Sequence, residues 1–106
     1  MATIKSYSDL EQSRKLAEIL PLESADMYYE WPNKKVHFKD DKYNGMGLSC
    51  WSLAALLDAL PNENMLVKTT DGEYYCLAKD VMTKHYGNPV DACIAMVENL
   101  HELKIL

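Results

Sequence analysis

Cys50 is the residue of this chain best suited to reactive chemistry. The apolar spacing around it predicts a helix over about Ser49 to Leu60, which puts the thiol at the helix start. There the helix dipole and unsatisfied N–H groups favour a thiolate. A cysteine nucleophile also needs an imidazole base, oriented by a third polar group. His85 follows the second hairpin and is the candidate base; His37 precedes Cys50. Neither histidine lies in an apolar strand context that would hold its ring firmly. The expectation is therefore a packed apolar thiol, with a Cys50–His85 hydrolase as the alternative.

Metal chemistry has less support. The chain has no C-x-x-C, no H-x-x-x-H and no paired Cys/His spacing. His37, His85 and His101 are scattered over a strand, a loop and a helix. Asp40, Asp41 and Asn44 lack the alternating ligand spacing of a calcium loop. No metal and no cofactor is expected.

Binding chemistry is better represented. Around the first hairpin, Tyr28, Tyr29, Trp31 and Phe38 interleave with Lys34, Lys35, Lys39 and Lys42. Rings plus lysines can stack bases and neutralise phosphates. Yet the chain carries net charge −5, and Arg14 is its only arginine. An acidic chain has no sequence-independent pull toward nucleic acid or anionic membrane. Bidentate phosphate recognition is an arginine task. A protein partner or a small ligand fits the seven tyrosines and two tryptophans better. The candidate binding residues are Tyr28, Trp31, Lys35, His37, Tyr75 and Tyr86.

The elements that must position these groups follow from spacing. Ser8 and Glu11 form an expected capping box opening helix 1, which Pro21 ends. Asp26–Trp31 reads as a strand with Met27, Tyr29 and Trp31 on its inner side. Pro32 and Asn33 turn the chain into Lys35–Lys39, with Val36 and Phe38 inward and His37 outward. Asp40–Gly47 is a polar loop. Helix 2 is apolar nearly all round and is expected at the centre of the molecule, ending at Pro61. Asp71-Gly72 predicts a two-residue hairpin turn, pairing Val67 with Cys76 and setting Met65, Val67, Cys76 and Ala78 inward. Asn88 caps helix 3, with Pro89 at its first position and Cys93, Met96, Val97, Leu100 and Leu103 on its buried face.

The order is αββαββα, one α+β domain over 1–106: an antiparallel sheet of two hairpins with helices on one face. Leu20-Pro21 and Leu60-Pro61, each followed two residues later by Glu23 or Glu63, suggest a pseudo-twofold αββ repeat. Open sheet edges allow edge-to-edge pairing into a homo-oligomer. No apolar run approaches the ~18–20 residues of a membrane span. Met1–Ser8 lacks the apolar stretch of a secretory signal. The three cysteines are odd in number and widely spaced, which argues for reduced core thiols in the cytoplasm.

Two resemblances accompany these residues. Ser49-Cys50-Trp51 at a helix start is similar to the nucleophile setting of papain-like enzymes and phage amidases, a local likeness that does not transfer between families. Tyr7–Ser13 running into Leu16–Pro21, Cys50–Leu57 and Asn88–Cys93 together resemble small uncharacterised proteins encoded by prophages and mobile elements of Bacteroidales gut bacteria. That resemblance implies an accessory protein of a mobile element; the group has no established activity and assigns no site residue. The reading is a non-enzymatic accessory binding protein that engages a protein partner or sequesters a small ligand, with counter-defence by sequestering a protein or a signalling nucleotide as its more specific form.

Overall fold

The computed structural model describes residues 5–41 and 43–106. Lys42 and the N-terminal Met1–Ile4 of the expectations above lie outside them. The fold is α+β, with three α-helices and two three-stranded antiparallel sheets among the described residues. Helix α1 spans Leu10–Ile19 and is followed by a single 3₁₀ turn, Leu22–Ser24. The first sheet holds β1 (Met27–Tyr29), β2 (Val36–Phe38) and β3 (Leu48–Cys50) in the order β2-β1-β3. Helix α2 spans Leu53–Ala59. The second sheet holds β4 (Met65–Lys68), β5 (Tyr74–Ala78) and β6 (Val81–Met82) in that order. Helix α3, Pro89–Glu102, completes the chain's regular structure.

Each hairpin thus gains a strand that spacing did not announce. β3 takes its residues from the start of the expected helix 2: Leu48, Ser49 and Cys50 pair with Tyr29, Tyr28 and Met27. Ser52 is the true N-cap of α2, its Oγ accepting from the Ala55 amide. Asp26 holds that cap in place by accepting from both the amide and the hydroxyl of Ser52. β6 follows a tight turn at Lys79-Asp80, both at positive φ. Such turns are usually marked by Asn or Gly, so the sequence carried little sign of it.

The centre of the molecule is α3, not α2. Val90, Ala92, Cys93, Met96, Val97 and Leu100 of α3 are fully buried, and the helix touches α1, α2 and every strand of the second sheet. In α2 only Ala55 and Leu56 are buried, and Ala54 is exposed. Small alanines made α2 look apolar all round without giving it a second buried face. The cap of α3 is as expected: Asn88 Oδ1 accepts from the Asp91 amide at 2.8 Å, with Pro89 in the first turn. Leu103, expected on the buried face, is the exposed C-cap.

The second hairpin is offset by one residue from its expected register. Leu66 pairs with Cys76 and Val67 with Tyr75. The loop has three residues, Thr70, Asp71 and Gly72: the Thr69 amide donates to Glu73 O, the Gly72 amide donates to Thr69 O, and Gly72 sits at φ +85. A slip of one residue exchanges the faces of a strand. Leu66 therefore packs on the core, while Met65 is exposed.

The internal repeat holds at the helix ends. Leu20 and Leu60 are both buried C-caps donating to Leu16 O and Leu56 O, each followed by proline. The sheets depart from it, because the central strand is the first of the three in one and the second in the other.

Helix α1 is capped by Asp9, not Ser8. Asp9 accepts from the Gln12 amide and Gln12 Oε1 accepts from the Asp9 amide. Ser8 is fully buried instead, and its segment runs antiparallel to Trp51–Leu53. The starts of α1 and α3 are joined at Asp91, whose Oδ1 accepts from Lys5 Nζ at 2.9 Å and Gln12 Nε2 at 2.8 Å. Its Oδ2 accepts from Asn88 Nδ2 at 2.8 Å. Burial alone would push this carboxyl up; the hydrogen bonds from Gln12, Lys5 and Asn88, with the Lys5 charge, bring it below its ordinary value. Asp91→Ala is expected to cost about 2 kcal/mol of stability at neutral pH. Because the folded carboxyl is the stronger acid, that contribution is present above the ordinary carboxylate value and lost as pH falls from there through the lower folded one. Urea unfolding of both proteins across that range measures the gap and its closure.

Candidate functional site

One cysteine, two aromatic clusters and a cleft are the groups to place. Cys50 ends β3 and is fully buried, so it has no helix N-terminus to activate it. Its thiol donates to Ser8 O at 3.3 Å, and Ser8 Oγ lies 3.6 Å from the sulfur. Around it Ser8 Oγ contacts Ser13 Oγ at 2.7 Å, and Tyr29 donates its hydroxyl to Ser8 O at 2.8 Å. Burial pushes the Cys50 thiol above its ordinary pKa, outweighing the hydrogen bonds from Ser8, Ser13 and Tyr29. The cluster is a closed hydrogen-bonded plug between α1 and the first sheet. Cys76 and Cys93 are also free and fully buried. Cys93, hydrogen-bonded to Cys76 and buried, is pushed well above its ordinary pKa.

His85 belongs elsewhere. Its ring stacks on Tyr75 of β5, centroids 5.0 Å apart, and its Nδ1 lies 3.8 Å from Glu73 Oε1. The nucleophile–base pair that a hydrolase needs is not assembled. Tyr86 bridges to Tyr74 through paired backbone hydrogen bonds of 2.8 Å. Tyr75 and Tyr86 are half-buried on the second sheet, Tyr75 stacked with His85 and Tyr86 on the opposite face, that of its bridge partner Tyr74. Both are separate from the residues expected on the first hairpin.

The first sheet assembles those residues. Met27 and Tyr29 face inward under α1, which leaves Tyr28 on the opposite side of β1. Tyr28 is cross-strand from His37, and their rings lie 5.5 Å apart. The loop between β2 and β3 returns Tyr43 onto the same face, its ring 4.7 Å from that of Tyr28. Trp31 is not the inner-face residue that alternation implied. β1 ends at Tyr29, the chain turns through a cis Trp31–Pro32 bond, and the indole is 45% exposed. Phe38, also expected inward, is exposed at the end of edge strand β2. Lys35 is exposed beside the turn.

Together these elements enclose a cleft of about 300 Å³ lined by Tyr28, Glu30, Trp31, Tyr43, Asn44 and Met46. Its volume lies at the small end of ligand-binding cavities. Gly47 makes the close approach that shapes it. At φ +95, a Cβ there would stand 2.4 Å from Tyr29 O and 3.2 Å from Tyr28 Cδ2. Gly47→Ala is expected to cost about 1–2 kcal/mol and to displace the loop that carries Tyr43. Thermal unfolding reads the first effect and Trp31 emission the second.

Charges border the cleft on two sides. Glu30 accepts from Asn33 Nδ2 at 2.7 Å through one oxygen, and its other oxygen lies 3.3 Å from His37 Nε2. Lys34 Nζ stands 5.9 Å from the Trp31 ring centroid and Lys39 Nζ 5.0 Å from that of Tyr43. Lys39 also donates to Ser49 Oγ at 3.1 Å and Leu22 O at 3.2 Å. Burial lowers its pKa, against the raising influence of Asp26 and Glu23. A second cavity of about 410 Å³ shares Tyr43 and Gly47 with the first and is lined by Lys39, Glu23 and Ser49.

Tyr43 and Met46 carry no signal of their own in the sequence, and Asn44 is weighed there only as a calcium ligand, because the segment has the composition of a plain polar loop. The signal was the Gly45/Gly47 pair, which frees a loop to fold back over a sheet. Among the described residues, no group of three or more His, Cys, Asp or Glu side chains is disposed to hold a metal ion. No described helix is long and apolar enough to cross a membrane. Comparison of the chain with protein-family models, with curated proteins and with solved structures finds no match.

Proposed function

We propose that the chain is a non-enzymatic binding protein whose binding site is the aromatic cleft of the first sheet. The observation that carries this is the convergence of Tyr28, Trp31 and Tyr43 on one cavity, on the face of β1 turned away from α1. Aromatic walls with a few polar groups are what small-ligand sites are made of. The sealed Cys50 and the separate His85 give the hydrolase alternative no support. On this proposal the protein acts in the cytoplasm, as its free buried thiols favour, and serves a prophage or mobile element as an accessory protein that sequesters a ligand. Sequestration of that kind is one route to counter-defence.

Trp31 supplies the test. Of the two tryptophans, Trp51 is fully buried and Trp31 is open at the cleft, so a ligand there alters Trp31 emission selectively. A chemically diverse small-molecule panel is expected to yield compounds that change emission saturably in the wild type and not in Trp31→Phe. A panel with no such compound would sink the proposal.

A second form of binding is favoured by exposed apolar side chains on edge strands, Phe38 on β2 and Met65 on β4. It is a homodimer or a protein complex formed by edge pairing. Mass in solution tests the homodimer: a strict monomer at high concentration removes it.

A further inference from the structure

The chemistry of the cleft narrows what it can hold, given the proposal that the cleft is a binding site. An organic cation is the usual guest of several aromatic rings and a carboxylate. Here that guest is opposed. One oxygen of Glu30 accepts from Asn33, and the other lies 3.3 Å from His37 Nε2 without a hydrogen bond between them. Two ammonium groups, Lys34 and Lys39, stand over Trp31 and Tyr43. Among the described residues neither lysine has a carboxylate within ion-pair distance. Two ammonium groups against the one carboxylate of Glu30 leave a net positive charge, which a cation would raise and an anion would answer.

The rings suit a flat guest. Tyr28 and Tyr43 lean on each other at 4.7 Å and form one wall, and Trp31 lines the same cavity while stacking on neither. Asn44 accepts from the Met46 amide through Oδ1 at 3.1 Å, which leaves its NH₂ as a donor at the cleft. Beyond Tyr43, the ammonium of Lys39 lines the adjoining cavity, where among the described residues it donates to the neutral acceptors Ser49 Oγ and Leu22 O. Glu23 shares that cavity and tempers its positive field without pairing with Lys39.

We infer that the cleft binds a planar heteroaromatic ring carrying an anionic group, a small molecule of nucleotide type. The ring packs between Trp31 and the Tyr28–Tyr43 wall. Asn44 donates to an acceptor on the ring edge. The anionic group lies past Tyr43 on Lys39.

Titration of the purified chain with AMP, GMP and UMP, followed by Trp31 emission and calorimetry, tests this against adenosine, tetramethylammonium chloride and a short single-stranded oligonucleotide. The mononucleotides are expected to bind at least about tenfold more tightly than adenosine, the size of one charge-assisted contact. Lys39→Met is expected to remove that preference by weakening the nucleotide about tenfold and leaving adenosine unchanged. Lys39→Arg keeps it. Retained adenosine binding shows that the variants are folded. Equal affinity for AMP and adenosine overturns the anionic assignment. Binding of tetramethylammonium in place of nucleotides overturns the ligand class, and an oligonucleotide far tighter than any mononucleotide overturns the small-molecule assignment. Failure of every nucleotide while other compounds of the diverse panel still act through Trp31 sinks this inference alone; a blank panel sinks the cleft as well.

Discussion

Trp51→Ala is expected to destabilise the protein by about 3–5 kcal/mol, a large part of the roughly 5–15 kcal/mol that holds a domain folded. Trp51 is fully buried in the main core cluster, beside Leu56, Met96 and Leu100 among others. Its backbone is held too: the amide donates to Ser8 Oγ at 3.0 Å, and its carbonyl accepts from the Ser8 amide at 2.9 Å. The indole Nε1 donates to Ser24 Oγ at 2.9 Å. Removing the ring opens a cavity where α2 leaves the first sheet. Trp51→Phe separates the contributions, since it keeps most of the volume and gives up the Nε1 bond; about 1 kcal/mol of the loss belongs to that bond. Urea unfolding followed by far-ultraviolet circular dichroism measures both. A loss below about 1 kcal/mol for the alanine variant would show that this residue does not close the core.

The second large effect concerns the thiols. Cys50, Cys76 and Cys93 all have zero solvent exposure in the folded chain. Alkylation by iodoacetamide at neutral pH must then wait for an opening event. It is expected to run at least about a thousandfold slower in buffer than in denaturant, in line with the stability of the surrounding core. The raised pKa of Cys50 works in the same direction, because the reactive thiolate is the form that burial disfavours. Mass spectrometry resolves the three sites. Rapid, selective alkylation of Cys50 in the native protein would reopen the hydrolase alternative.

What could be seen in the sequence divides along physical lines. The three helices, the α+β order and the cap of α3 rest on local signals, and those survive: Asn88-Pro89 makes its cap with residues three positions away or fewer. The start of α2 shows the limit. Cys50 fits the helical spacing of Leu53, Leu56 and Leu57, but pairing with Met27 across the sheet overrides that spacing. Only Ser52, which caps just as well as Ser49, pointed to the later start. The hairpin register was lost in the same way, through one residue of turn geometry at Thr70-Asp71-Gly72. Of the expected binding residues, Tyr28 and His37 meet through the expected pairing of β1 with β2, whereas Trp31 joins the cleft because β1 ends at Tyr29 instead of carrying the indole to the inner face. Tyr75 meets His85 on the other sheet, where Tyr86 pairs with Tyr74, and no spacing in the chain could say which sheet each tyrosine would join. The cleft itself depends on Tyr43, whose place is set by a glycine passing within van der Waals reach of the Tyr29 carbonyl.

The proposed working surface of the molecule is the cleft face of the first sheet. A nuclear magnetic resonance titration of the ¹⁵N-labelled chain, using the tightest-binding compound from the small-molecule panel, tests that most directly. Amide shifts are expected to concentrate at Tyr28–Trp31 and Tyr43–Gly47, with Cys50 and the second sheet unmoved. Shifts centred on Cys50, or on Tyr75 and His85, would contradict that assignment.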